Sequence, residues 1–173
     1  MNRTSQLASF FILFLLIGHT PSSLAVIPIS DDPMGFYGIQ WGHSLINHPK
    51  LLKIDSDNNI VFYGLNNTEP KAWDIPVESM KFLTLDDQFA QARIHYQSED
   101  THKAILAYLE STYGKHTFAP GAMMRGLNQQ YSWRGTVTEI SVTYRGLTEH
   151  GFIAIQSRIL AAELMNAVSD QSF

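Results

Sequence analysis

The chain has no cysteine. That excludes disulfide staples, a cysteine nucleophile, a cysteine-bound metal cluster and a lipid anchor on cysteine, and it leaves a hydrophobic core as the source of stability. Basic charge is also scarce. Sixteen acidic side chains face 12 basic ones, for a net charge of −4 with histidine neutral. Lys and Arg are scattered rather than clustered, so there is no broad basic field for nucleic acid. Catalytic signatures are missing as well: no Gly-x-Ser-x-Gly elbow, no Ser-x-x-Lys, no HExxH, and no Gly-rich loop that follows a strand and opens a helix. Long apolar runs are absent beyond one short stretch near the start.

That stretch is Ser9 to Gly18, preceded by Asn2 and Arg3 and broken by Pro21. Ser23-Leu24-Ala25 then places small residues where a signal peptidase reads. An apolar core of about ten residues is too short for an ordinary membrane helix, and this order of regions predicts a cleaved signal peptide over residues 1–25. Losing Arg3 makes the balance 16 acidic against 11 basic, net −5. The expected organisation is an extended lead-in over 26–34, a single domain over 35–168 and a frayed tail over 169–173. The expected location is periplasmic or secreted, with no transmembrane segment in the mature chain.

What is present is strand and helix periodicity. Gln88 to Tyr96 alternates, with Ala90, Ala92, Ile94 and Tyr96 on one face and Phe89, Gln91, Arg93 and His95 on the other. After the polar break Ser98-Glu99-Asp100, the run Thr101 to Tyr113 places Ile105, Tyr108, Leu109, Thr112 and Tyr113 on one helical side. Asp100 or Thr101 can cap it, and Gly114 can stop it. Upstream, Leu51 to Ile54 and Ile60 to Tyr63 predict a hairpin across a five-residue Asp55–Asn59 turn. Trp73 to Val77 predicts a strand or a buried crossing. Met80 to Leu85 predicts a strand paired with Phe89 to Tyr96. Downstream, Tyr131 and Trp133 precede an interruption at Gly135, Thr136 to Arg145 is a strand, Phe152 to Gln156 pairs back, and Arg158 to Val168 is a helix. The expected class is α+β: an antiparallel sheet of hairpins with a central and a C-terminal helix packed on one face. Trp133 is expected in the core beside the central helix.

Phe36-x-Gly38-Ile39-x-Trp41-Gly42, followed by Leu45, resembles the opening of a broad set of small exported bacterial domains, many of them uncharacterised. Those domains continue with short strands, a central helix ending in Tyr-Gly and a strand containing Trp, then close on a strand and a short helix. Tyr113-Gly114, Trp133 and Phe152 to Gln156 stand at the matching places. The resemblance implies an exported α+β domain and transfers no catalytic residue. The stretch between Tyr113 and Tyr131 is longer and more irregular than such domains carry.

Chemistry-bearing residues give two readings. Asp55, Asp57 and Asn59 alternate like calcium ligands, but Ile60 and Asn66 stand where glycine and a bidentate Glu are required. Asp31-Asp32, Asp86-Asp87 and Glu99-Asp100 read as solvated turns or helix starts. Asn66-Asn67-Thr68 is a glycosylation acceptor pattern, relevant only in a eukaryotic host. Among the six histidines after the leader, His95, His102 and His116 are the weak metal or catalytic candidates, and no cofactor is implied. The glycine-cut segment 35–42 is a structural plug or an aromatic ligand platform. Lys115 to Gln130 is a long connection with Met123, Met124 and Leu127. The first reading is therefore a non-enzymatic exported domain that binds a protein or a small envelope ligand through Trp41, Phe118, Met123, Met124 and Leu127. The alternative is a small periplasmic hydrolase or metal-dependent enzyme using the scattered histidines.

Overall fold

The computed structural model describes residue 29, residues 31–116 and residues 128–169, with side chains through residue 164. The elements run β1 (Gly35–Phe36), β2 (Ile39–Gln40), β3 (Leu51–Asp57), β4 (Ile60–Leu65), β5 (Lys71–Ala72), β6 (Ile75–Pro76), β7 (Ser79–Leu85), β8 (Gln88–Gln97), α1 (Glu99–Tyr113), β9 (Asn128–Arg134), β10 (Thr138–Arg145), β11 (His150–Ser157) and α2 (Arg158–Ser169). Seven strands form one antiparallel sheet in the order β3-β4-β7-β8-β11-β10-β9, and β1–β2 and β5–β6 are separate small hairpins. The α+β class holds, with a larger sheet than hairpins alone require. Among the described residues no helix is long and apolar enough to cross a membrane.

One face of the sheet carries the main core. Met80, Phe82, Ile94, Tyr96, Ile140, Val142 and Ile153 lie under Ile105 and Leu109 of α1. Trp133 is 2% exposed and donates from Nε1 to the Gly114 carbonyl at 2.8 Å, so it ties β9 to the end of α1. Tyr96 lies across Gly151, where any Cβ would run into its ring. A glycine is required there by close approach rather than by backbone angle.

The helices do not share a layer. Along β4, Val61 and Tyr63 belong with the α1 core, while the alternate residues Ile60 and Phe62 pack with Leu85, Ala90, Leu160 and Leu164. Side chains alternate across a strand, so α2 lies on the face opposite α1. The expectation of both helices on one face is corrected. β4 and β7 are apolar on both faces at this end of the sheet, and Leu160 and Leu164 cover the second patch.

Three further expectations shift for local reasons. The β7–β8 ladder pairs Leu83 with Gln91 and Thr84 with Phe89, which leaves Ala90 as an extra residue. This bulge moves Phe89 onto the α1 face beside Ala92 and sends Ala90 to the other. Helix α1 begins at Glu99, because the Ser98 hydroxyl, not Asp100 or Thr101, accepts from the Thr101 amide at 3.2 Å. The β3–β4 turn is Asn58-Asn59, with Asn58 at φ 50; Asp55 and Asp57 are strand residues, and β3 absorbs a bulge between Lys53 and Asp55. The lead-in is docked where it is described. Asp32 accepts from the Val137 and Thr138 amides at 2.7 and 3.1 Å, and the Thr138 hydroxyl donates to the Pro33 carbonyl. Asp32 is thus not a solvated turn residue. It holds the chain's lead-in against the β9–β10 connection.

Candidate functional site

Two small hairpins build the most distinctive concavity. Their turns, Tyr37-Gly38 and Trp73-Asp74, hold both central residues at positive φ: 58 and 77 in the first, 53 and 63 in the second. A two-residue hairpin turn of this kind favours Asn or Gly, whose side chains tolerate the left-handed region. Tyr and Trp do not, and a bulky aromatic held there is a strained choice. Both residues wall one cleft of about 600 Å³, together with Phe36, Lys71, Asp74 and Tyr113. Trp73 stacks on Tyr108 of α1 with centroids 5.0 Å apart and meets Phe36 edge-on at 5.8 Å. Tyr37 packs against Phe82 at 5.5 Å, with the Lys50 ammonium 5.8 Å from its ring centroid. Tyr113 is pushed up to about 12, first by burial and then by Tyr108, Asp31 and Asp32 nearby. It therefore stays a neutral hydroxyl at physiological pH. The cleft is apolar and aromatic on its walls, with one cation and one carboxylate at its rim.

Trp41 stands on the other side of this hairpin. Its ring lies 4.7 Å from Phe89, and its Nε1 donates to the Thr138 hydroxyl at 2.8 Å. It also lines a second cleft of about 340 Å³ with Met34, Gln88, Ile159 and Leu160. Of the expected binding residues, Trp41 alone can be placed. Phe118, Met123, Met124 and Leu127 lie outside the described residues.

The three candidate histidines, His95, His102 and His116, do not come together in one cleft. His102 is 3% exposed, under the first turns of α1. Its Nε2 donates to Gln129 Oε1 at 3.3 Å, since that oxygen only accepts, and so Nδ1 accepts from the Tyr96 hydroxyl at 2.7 Å. Tyr131 also donates to Gln129 Oε1, at 2.6 Å. The His102 ring stacks on Tyr144 with centroids 4.1 Å apart. Burial lowers its pKa against the smaller raising effects of Gln129 and Glu99; burial likewise raises the Tyr96 phenol well above its ordinary value. The network is neutral, and both imidazole nitrogens are engaged within the protein. His116 bonds Glu110 at 2.9 Å and lies edge-on to Tyr131 and Trp133. His95 is on the opposite face, beside Phe152. Among the described residues no group of His, Asp and Glu is placed to hold a metal ion.

No family model, characterised protein or solved structure matches this chain. Function therefore rests on the geometry alone. The sequence offers the segment 35–42 as an aromatic platform without singling out Tyr37, and it does not point to Trp73. The available signal was the pair of short apolar pieces around Tyr-Gly and Trp-Asp, each a two-residue turn between strands too short to show alternation.

Proposed function

We propose that this chain is an exported, non-enzymatic binding domain, and that its ligand site is the aromatic cleft between β1–β2 and β5–β6. The observation that carries the reading is the placement of Tyr37 and Trp73. Two bulky aromatics sit at positive φ, at the tips of two hairpins, and wall the same cavity. Strain of this kind persists where surrounding structure enforces it and clusters at ligand sites. The cleft volume falls in the range of small-molecule pockets, and apolar walls with a few polar groups at the rim suit a small ligand with a flat apolar face. Lys71 and Asp74 supply orientation.

The enzyme alternative has less support. His102, the most engaged of the histidines, has both ring nitrogens committed to Tyr96 and Gln129 inside the core. A general base needs a free nitrogen within reach of substrate.

The test is native mass spectrometry of the chain recovered from the cell envelope, beside a Tyr37→Asn/Trp73→Asn double variant. Asparagine suits the same backbone region, so the turns survive while the aromatic walls are lost. A ligand that copurifies with the natural chain and is absent from the variant supports the site. Equal recovery of that ligand with both chains refutes the cleft, and recovery of a turned-over product instead of a bound ligand refutes the non-enzymatic reading.

A further inference from the structure

The sheet face opposite α1 carries its apolar cluster under α2; further along, toward the end of β8 and the β10–β11 turn, it is polar and cationic around Phe152. Side-chain alternation puts Lys81, Arg93, His95 and Arg145 on this face, and the register sets Lys81 beside Arg93 and Arg145 beside His150. In a chain of net charge −4, this end of the face gathers cations. The strand carboxylates on this face lie elsewhere along it: Glu139, at the far end of β10, pairs with Arg134 at 3.9 Å, and Asp55 and Asp57 stand on the edge strand β3 opposite Phe62 and Ile60.

Arg93 shows how the face handles charge. The half-buried guanidinium donates from Nε to Gln91 Oε1 at 2.6 Å, Gln91 donates to Gln156 Oε1 at 2.8 Å, and Gln156 donates to Glu139 Oε2 at 3.4 Å. Two glutamines stand between the cation and that carboxylate. Among the described residues neither Arg93 nor Arg145 has a carboxylate within ion-pair distance. Glu149, in the adjoining turn, uses its backbone carbonyl to accept from Ser98.

Of these cations Arg145 reaches a cleft of about 380 Å³, which it lines with His95, Thr143, His150, Gly151 and Phe152. Across the strands, His95, Phe152 and Thr143 form one row, and His150 and Arg145 the next. The half-buried Phe152 ring, 5.1 Å from His95, is the apolar floor. His150 donates from Nδ1 to the Thr148 carbonyl at 2.6 Å, which fixes the ring and leaves Nε2 as the nitrogen that, protonated in the imidazolium, donates to an anion. Arg145 brings a planar fork of donors matched to an oxyanion, and Thr143 adds a hydroxyl.

We propose that this cleft is a second binding site and takes a small ring-bearing acid, with its carboxylate or phosphate on Arg145, His150 and Thr143 and its ring against Phe152. The site is on the other face from the aromatic cleft and stands or falls separately from it.

The probes are phenyl phosphate, benzoate and inorganic phosphate, titrated into isotope-labelled protein and followed by amide NMR. At least one of the two ring-bearing acids is expected to give saturable shifts confined to Thr143, Arg145, His150 and Phe152, at lower concentration than inorganic phosphate. Whichever of the two binds identifies the acid group. Arg145→Gln should weaken that binding roughly tenfold or more, the scale of a lost charge-assisted pair, and His150→Ala should weaken it less. Lys53→Gln, on β3, should leave it unchanged. Arg145 and His150 are exposed, so neither substitution removes core packing, and the amide spectrum itself reports the fold. Non-saturable shifts, equal affinity in Arg145→Gln, or inorganic phosphate binding as tightly as the ring-bearing acids would each overturn the proposal.

Discussion

The two faces of the seven-stranded sheet are written by the same strands, one residue out of phase, and they treat polar groups in opposite ways. On the α1 face, His102, Tyr96, Tyr131 and Gln129 close a network in which both ring nitrogens of the histidine are used. On the other face, beyond the patch under α2, the cations Lys81, Arg93 and Arg145 have no described carboxylate against them. The first arrangement is complete without a ligand and rigidifies the core. The second leaves charge available to one. Histidine counts along the sequence cannot make this distinction, because His95 and His102 differ in the layer they occupy rather than in their spacing.

The sharpest way to break the sealed face is at Trp133. It is almost wholly buried, and its indole N–H bonds the end of α1. Trp133→Ala should lower stability by about 3–5 kcal/mol, as other buried aromatic truncations do, read as a fall in the urea midpoint. A midpoint that does not move removes Trp133 from the core. Next in size is Gly151→Ala. The new methyl collides with the Tyr96 ring, and Tyr96 is pinned by His102. The cost should be about 1–3 kcal/mol, and it should shrink in a Tyr96→Ala background, where the obstruction is gone. Equal cost in both backgrounds would place the strain elsewhere.

Smaller, but specific to the network, is the effect of pH. Burial holds the folded His102 pKa below its ordinary value, so the unfolded chain takes up its proton first as pH falls. Stability contributed by neutral His102 is therefore complete above the ordinary histidine pKa of about 6.5 and declines as pH drops below it toward the folded value. The groups that face it are Tyr96, Tyr144, Tyr131 and Gln129 from the sheet and Glu99 and Lys103 from its own helix. His102→Gln should be less stable than the natural chain at pH 8 yet lose less on going to pH 5. Parallel stability curves for the two proteins would show that His102 is not the titrating group.

Much of the fold was legible because its long strands alternate cleanly. Thr138 to Arg145 buries Ile140, Val142 and Tyr144 as its pattern requires, and Thr101 to Tyr113 is helical with Ile105 and Leu109 inside. What escaped was set by contacts between elements. The bulge at Ala90 reverses the face of Phe89, and nothing in Gln88 to Tyr96 alone announces an extra residue. The second apolar face emerges only when Ile60, Phe62 and Leu85 are aligned across strands. The docking of Asp32 on the Val137 and Thr138 amides joins positions more than a hundred residues apart. Both clefts suffer from the same blindness. One is made by turn tips in two-residue strands, and the other by five side chains, three of them exposed, from three strands.

The smallest expected effect is the most direct measure of the contrast between faces. His95 lies in the same strand as Tyr96, one residue from the partner of His102, but its side chain is exposed beside Phe152 on the open face. Truncating it removes no core packing and breaks no described side-chain hydrogen bond. His95→Ala should therefore change stability by no more than about 0.5 kcal/mol, the usual range for surface positions, while His102→Ala leaves Tyr96 and Gln129 facing a void and should cost several times as much. The pair is measured in parallel urea titrations at pH 8. A ratio near one would mean that the polar network under α1 adds little to the core, and the division between a self-sufficient face and a ligand-ready face would lose its energetic basis. A large ratio, with phenyl phosphate or benzoate shifts reduced in His95→Ala, would tie the exposed histidine to binding and the buried one to folding.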